Sequence, residues 1–130
     1  MTAPATVNLT EALSRIDRAW SPCIVARVND YDVRVARTQG EHVWHVHDTT
    51  DEFFLVLEGR FAIALREADG TEATVVLEAG DTFVVPRGTE HRPSSPGGAI
   101  LMFEPTGTST TGDRHDVIPG HVDSTTGHAL

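Results

Sequence analysis

The chain has 130 residues, a net charge of −9 and a single cysteine, Cys23. One domain of that length buries roughly two-thirds of the surface its unfolded form exposes, so no disulfide staple is needed. A lone cysteine excludes both an intrachain bridge and a four-cysteine zinc site. All ten basic residues are arginine, which excludes Schiff-base chemistry on lysine and makes nucleic acid a poor expectation as partner.

Residues 8–16 predict one short helix. Asn8 can cap it, Glu11 can close a capping box, and Leu9, Ala12, Leu13 and Ile16 share a face. Residues 1–15 hold no apolar run of signal-peptide length, and no run of about 18 apolar residues occurs anywhere. A cytoplasmic protein without a membrane partner is therefore expected.

From Cys23 the hydrophobic period changes to two. Strands are predicted at 23–28, 31–38, 42–47, 52–58, 60–66, 72–78, 81–86 and 98–104, with hairpin turns at Asn29-Asp30 and Asp69-Gly70. Short strands in unbroken succession predict an all-β antiparallel sandwich or barrel. Beyond Pro105 the composition turns to Thr, Ser, Gly and Asp. The expected organisation is an N-terminal helical arm (1–20), a barrel (21–105) and an irregular tail (106–130) that is disordered or drapes over the barrel.

Two clusters carry the chemistry. The first is His45-Val-His47 followed by Glu52 and Gly59; the second is Gly80, Pro86-Arg-Gly88 and His91. On a strand, residues two apart share a face, so His45 and His47 project together, about 6.5–7 Å apart along the backbone. The turn 48–51 brings Glu52 opposite them, Gly59 turns the chain into 60–66, and His91 can approach from a neighbouring strand. Three imidazoles and a carboxylate suit one divalent transition metal ion (Fe, Mn, Ni, Cu, Co or Zn) rather than Ca or Mg. The competing explanation, polar residues on a solvated strand face, needs four well-spaced donors to coincide by accident. His42 lies an odd offset from His45 and is expected to face away with Trp44. His115, His121 and His128 fall irregularly in the tail and are not expected to be ligands.

These clusters resemble the two motifs of the cupins, over residues 38–104. His45-Val-His47, Glu52 and Gly59 match the first motif, and Gly80, Pro86, Gly88 and His91 match the second. Gly40 stands one residue closer to His45 than the usual leading glycine, and Ser95 replaces an expected asparagine. The resemblance, to small single-domain cupins of the cupin-2 type, implies a double-stranded β-helix (jelly-roll) barrel with the metal inside. It implies no particular reaction.

With Glu52 inward, Phe54 and Val56 also face in, while Phe53, Leu55 and Leu57 face out and are equally apolar. A strand apolar on both faces is covered on both. The N-terminal helix, the strand from Cys23 or a second subunit must supply that cover, and a homodimer is expected. Phe54, Phe83 and Phe103 are the candidate substrate-binding residues. A catalytic acid or base is not identified: Tyr31 and Glu104, and Arg34 and Arg37 as anion binders, read as surface or strand-end residues. The expected function is a metal-dependent enzyme acting on a small oxygen-bearing organic molecule, by oxygenation or by Lewis-acid isomerase, cyclase or lyase chemistry. The alternative is a non-catalytic metal-containing cupin that binds or senses a small molecule; a purely structural barrel would leave the four donors without a use.

Overall fold

A computed structural model describes residue 3 and residues 5–130. Among the described residues one helix, α1 (Leu9–Ser14), precedes nine strands: β1 (Cys23–Val28), β2 (Tyr31–Glu41), β3 (His45–Val46), β4 (Glu52–Arg66), β5 (Glu72–Glu78), β6 (Thr82–Val85), β7 (Glu90–Pro105), β8 (Arg114–His115) and β9 (His128–Ala129). They form one sheet in the order β5-β4-β7-β2-β1-β9, with β6 on β4 and β3 between β7 and β8. All pairings are antiparallel except β1 with β9 and an isolated bridge from Ala19 to Arg37.

The expected turn at Gly59 is not a turn. Strand β4 runs through it for 15 residues, pairing with β6 before the glycine and with β5 after it. Its register against β7 slips on either side, between Val56 and Glu58 and between Arg60 and Ala62. The slip changes which parity faces inward: Phe54 and Val56 before it, Phe61 and Ile63 after it, all buried. Gly98 opposes Gly59, and a Cβ on Gly59 would overlap the carbonyl of Gly97. Two backbones that cross this closely leave no room for side chains, so the glycine marks a bulge and a close approach. Strand β7 likewise begins at Glu90 rather than 98, and changes inward parity from His91, Pro93 and Ser95 to Ile100, Met102 and Glu104.

The principal core gathers Phe54, Val56, Phe61, Ile63, Leu77, Val85, Ile100 and Met102 from the inner face, closed by Trp20 and Val122. Each fully buried Phe or Ile contributes about 1.5–3 kcal/mol. A second cluster lies outside the sheet, where Ala12, Leu13 and Ile16 pack on Val35 and Ala99, with Leu57 and Leu101 at its margin. The helical arm therefore covers the Leu57 end of the outer face. Six helical residues are not stable alone. This turn is held by burial, by Asn8 Oδ1 accepting from the Glu11 N–H, and by Arg37, which donates to the carbonyls of Leu13 and Ile16. The Glu11 side chain pairs with Arg15, so only half of the expected capping box forms.

The tail packs. Strand β8 adds to β3, β9 adds to β1, and Thr111 and Val122 are buried. Among the described residues no helix is long and apolar enough to cross a membrane.

Candidate metal centre

His45 opens β3 and lies directly opposite His91 of β7, while Glu52 opens β4 opposite Val85 of β6. The turn Pro86-Arg-Gly88 is fastened to the first cluster by its backbone: Gly88 N–H donates to the His47 carbonyl and Arg87 N–H to Asp51 Oδ1. The two sequence motifs are thus one structural unit. All four side chains are buried, and one donor atom from each lies within 4.8 Å of the others.

A first-row ion binds imidazole nitrogen and carboxylate oxygen at about 2.0–2.2 Å, so adjacent ligands stand ~3 Å apart and opposite ones ~4.2 Å apart. His91 Nε2 is 3.1 Å from Glu52 Oε1, and His47 Nε2 is 3.3 Å from Glu52 Oε2. The ring protons point away from this centre. His45 Nδ1 donates to the Val43 carbonyl at 2.7 Å and His91 Nδ1 to the Thr89 carbonyl at 2.9 Å. With Nδ1 protonated, the neutral ring presents the lone pair of Nε2, the arrangement metal-binding histidines adopt. His47 Nε2 is buried and makes no hydrogen bond among the described residues. Lone pairs converging on a carboxylate repel unless a cation lies among them, and the donor set therefore fits a divalent transition metal.

The local charges agree. Burial drives the His45 imidazole well below its usual range, with His91 adding to the effect. Burial opposes the charge on His47 too, but the adjoining Glu52 carboxylate outweighs it and raises that group. Burial alone would raise Glu52; His47 and His91 overcome it and hold the carboxyl well below its usual range.

Beside the cluster lies a mainly apolar cavity, bounded by Phe54, Ile100 and Met102 and closed by Trp20 and Thr110. The centre of a water-sized sphere can move through about 30 Å³ of it. Phe54 borders this space. Phe83 opposes Phe54 in the register and packs against the core behind it. Phe103 lies on the other face, opposite Phe53 and 4.9 Å from the Tyr31 ring, and does not border the cavity.

Two readings of the sequence are corrected by this geometry. His42 does not face away: residues 42–44 leave the strand, so alternation does not apply to them, and the buried His42 ring borders the cavity 5.0 Å from His45. Burial lowers its pKa to about 4. Nor are Arg34 and Glu104 surface residues. Asp32, Arg34 and Glu104 are buried together, with Arg34 donating to Asp32 Oδ2 at 3.0 Å and to Glu104 Oε1 at 2.9 Å. Burial, then the neighbouring Glu52 charge, raise Glu104 well above the usual carboxylate range. Alternation along 100–104 and 32–36 carries the signal for this cluster, because each of its members shares parity with an inward apolar residue. Ser95, in place of an asparagine, joins three strands: it accepts from Thr38 and Gly97 N–H and donates to the Arg60 carbonyl. His115, His121 and His128 bond to other groups of the chain and stand outside the cluster.

Comparison with known proteins follows the same lines. The family model described as "Cupin domain" matches residues 32–104. The Bacillus subtilis (strain 168) protein YdbB is 36% identical over 88 residues, which are 68% of this chain and 74% of that protein. A cupin-2 domain-containing protein from Shewanella frigidimarina NCIMB 400 is 37% identical, with a TM-score of 0.71 over 76% of this chain and 93% of that one. Hydroquinone 1,2-dioxygenase from Sphingomonas sp. TTNP3, solved with 4-hydroxybenzoate bound, is 20% identical with a TM-score of 0.65, over 75% of this chain and 71% of that one. That last likeness is one of fold, the jelly-roll β-barrel. With a family match over more than half its length and both motifs meeting at one buried cluster, the chain belongs to the cupin family.

Proposed function

We propose that this cupin is a metal-dependent enzyme that oxygenates a small oxygen-bearing organic molecule. The observation that carries the reading is the convergence of His45, His47, Glu52 and His91 beside a mainly apolar cavity, an arrangement that serves chemistry better than it serves stability. His45, His47, Glu52 and His91 would hold a divalent ion, which would supply Lewis acidity and, where redox-active, electrons for dioxygen. Phe54, Ile100 and Met102 give the adjoining cavity its apolar wall. The carbonyls of Val43 and Thr89 hold the His45 and His91 tautomers, and Glu52 balances part of the charge. A hydroquinone dioxygenase shares this fold, and oxygenation is therefore the chemistry tested first, ahead of isomerase, cyclase or lyase reactions.

The partner of the exposed sheet face is a second copy of the chain. Phe53, Val84, Phe103 and Tyr31 border one outer cleft beyond the reach of α1, and Val84 is 46% exposed. The single cysteine is unpaired within the chain, in keeping with a reducing compartment such as the cytoplasm.

The test is oxygen uptake by tag-free protein reconstituted with Fe(II), Mn(II), Ni(II), Cu(II), Co(II) or Zn(II), against a panel of phenols, diols and hydroxyketones. Uptake with a redox-active metal, abolished by His91→Ala, is the expected result. Stable metal content with no turnover of any compound replaces it with the non-catalytic, ligand-binding reading.

A further inference from the structure

Glu104 is 1% exposed and borders the cavity that adjoins the donor cluster. Its carboxyl group is split in function. Oε1 accepts from Arg34 Nη1 at 2.9 Å, while Oε2, equally buried, finds no donor among the described residues, and the carboxyl group as a whole lies within hydrogen-bonding reach of the Glu52 carboxyl. Arg34 is itself fully enclosed and held by Asp32 and by the carbonyl of Thr108 at 2.9 Å. Asp32 is braced in turn by Thr106 at 2.7 Å. The register explains the placement. Asp32 opposes Glu104 and Arg34 opposes Met102, so the cluster lies on the inner face in line with residues that border the cavity.

A purely structural ion pair gains nothing from an oxygen that lacks a donor, because a buried acceptor without one forfeits its hydration uncompensated. The side chain is fixed by Arg34 at one end, and its other oxygen, without a donor of its own on a residue that borders the cavity, is placed to receive a ligand.

We propose that Glu104 is a specificity-determining residue, its free Oε2 binding a hydroxyl on a substrate whose other oxygen binds at the His45, His47, Glu52 and His91 centre. For that second oxygen the inference rests on the metal reading above. A hydroxyl both donates and accepts, so it satisfies Oε2 in either protonation state. The cavity sets the size. Since one water needs ~10–15 Å³ of such sphere-centre space, the room here corresponds to two or three waters, a ligand of about five non-hydrogen atoms. The substrate class is a short hydroxycarbonyl compound or diol with its two oxygens close together.

The experiment compares hydroxyacetone with butanone, two ketones of the same shape that differ by hydroxyl against methyl. Binding to Co(II)-loaded full-length protein is followed by visible spectroscopy and ligand NMR, with metal content measured in parallel. Hydroxyacetone should bind the unmodified protein at least tenfold more tightly than butanone. In Glu104→Leu that preference should fall to within twofold at unchanged cobalt content, while Glu104→Gln, which keeps polar atoms at both ends, should retain part of it. If Glu104→Leu fails to fold, Glu104→Met, a longer apolar chain, takes its place with the same criterion. Equal affinity for the two ketones in the unmodified protein, binding of neither, or an undiminished preference in the apolar variants overturns the inference. Those results leave the metal reading intact as long as cobalt is bound stoichiometrically; failure to bind cobalt with a persisting, Glu104-dependent preference in the metal-free protein overturns the metal reading and keeps the hydroxyl-binding role.

Discussion

His91 Nε2 stands 3.1 Å from Glu52 Oε1, while the Nδ1 of the same ring is bonded to the carbonyl of Thr89. The ring carries its one neutral-state proton on the outer nitrogen, so the short inner distance brings two acceptors together. A bound cation removes that conflict, and the protein should be more stable with metal than without.

Chelator treatment should therefore lower the melting temperature, and excess divalent metal should restore it, in proportion to RT ln(1 + [M]/Kd). His91→Ala should weaken metal binding by more than the ~10–100-fold typical of losing an outer partner of a ligand. It should also abolish most of the chelator effect. Identical melting of the unmodified protein with and without chelator would count against a metal at this centre.

His42 provides a separate pH signature in metal-free protein. Its folded-state pKa is depressed to about 4 by burial, against about 6.5 in the unfolded chain. Between these values the unfolded chain binds more protons, so stability is full above about pH 6.5 and falls as the pH drops toward 4. The limit of the loss is on the order of 3 kcal/mol, from 1.36 kcal/mol per unit. His45 acts in the same direction, while the raised His47 loses its stabilising contribution as pH rises. His42→Gln should flatten the acid limb of a plot of denaturation free energy against pH, and an unchanged slope would mean that His42 protonates freely in the fold.

The donor set was legible because it depends on short-range spacing: two residues apart on a strand, then one turn. Strict alternation misplaces His42, because residues 42–44 are not a strand and the chain there carries the ring back to the cavity. Arg34 and Glu104 were misread because charge suggested exposure, although both fall in phase with Ala36 and Met102, which face inward. What the local pattern does not encode is the partner: Arg34 meets Glu104 across strands, 70 positions away in the chain. Strands β8 and β9 are two residues each in a polar segment, too short for any period to show.

Gly59 and Gly70 separate two reasons for a glycine. Both have positive φ, but a Cβ at Gly70 meets nothing within 4 Å, whereas one at Gly59 would overlap the backbone of Gly97 and Gly98. Gly70→Ala should cost only the left-handed conformational penalty, roughly 1–2 kcal/mol. Gly59→Ala adds a backbone displacement between β4 and β7 and should cost at least about 2 kcal/mol more, as overpacking of a tight site does. Urea denaturation of the two variants gives the comparison. Equal losses would mean that β7 yields without cost.

The outer sheet face tests the proposed dimer. Phe53 pairs across strands with both Val84 and Phe103, and Phe103 with Val33, forming an apolar row that α1 leaves open. Stable interfaces bury about 1,200–2,000 Å² and exclude unpaired charge from their centre. Val84 suits the test because it is 46% exposed and belongs to neither core cluster. An arginine there should leave the monomer's fold unchanged within about 0.5 kcal/mol, yet place a charge inside the contact. Light scattering at micromolar concentration should show a dimer for the unmodified chain and a monomer for Val84→Arg, with the same circular dichroism spectrum and metal content. A monomer mass for the unmodified protein would show that the row around Phe53 and Phe103 needs no partner, and a Val84→Arg protein that remains dimeric would move the interface elsewhere on the barrel.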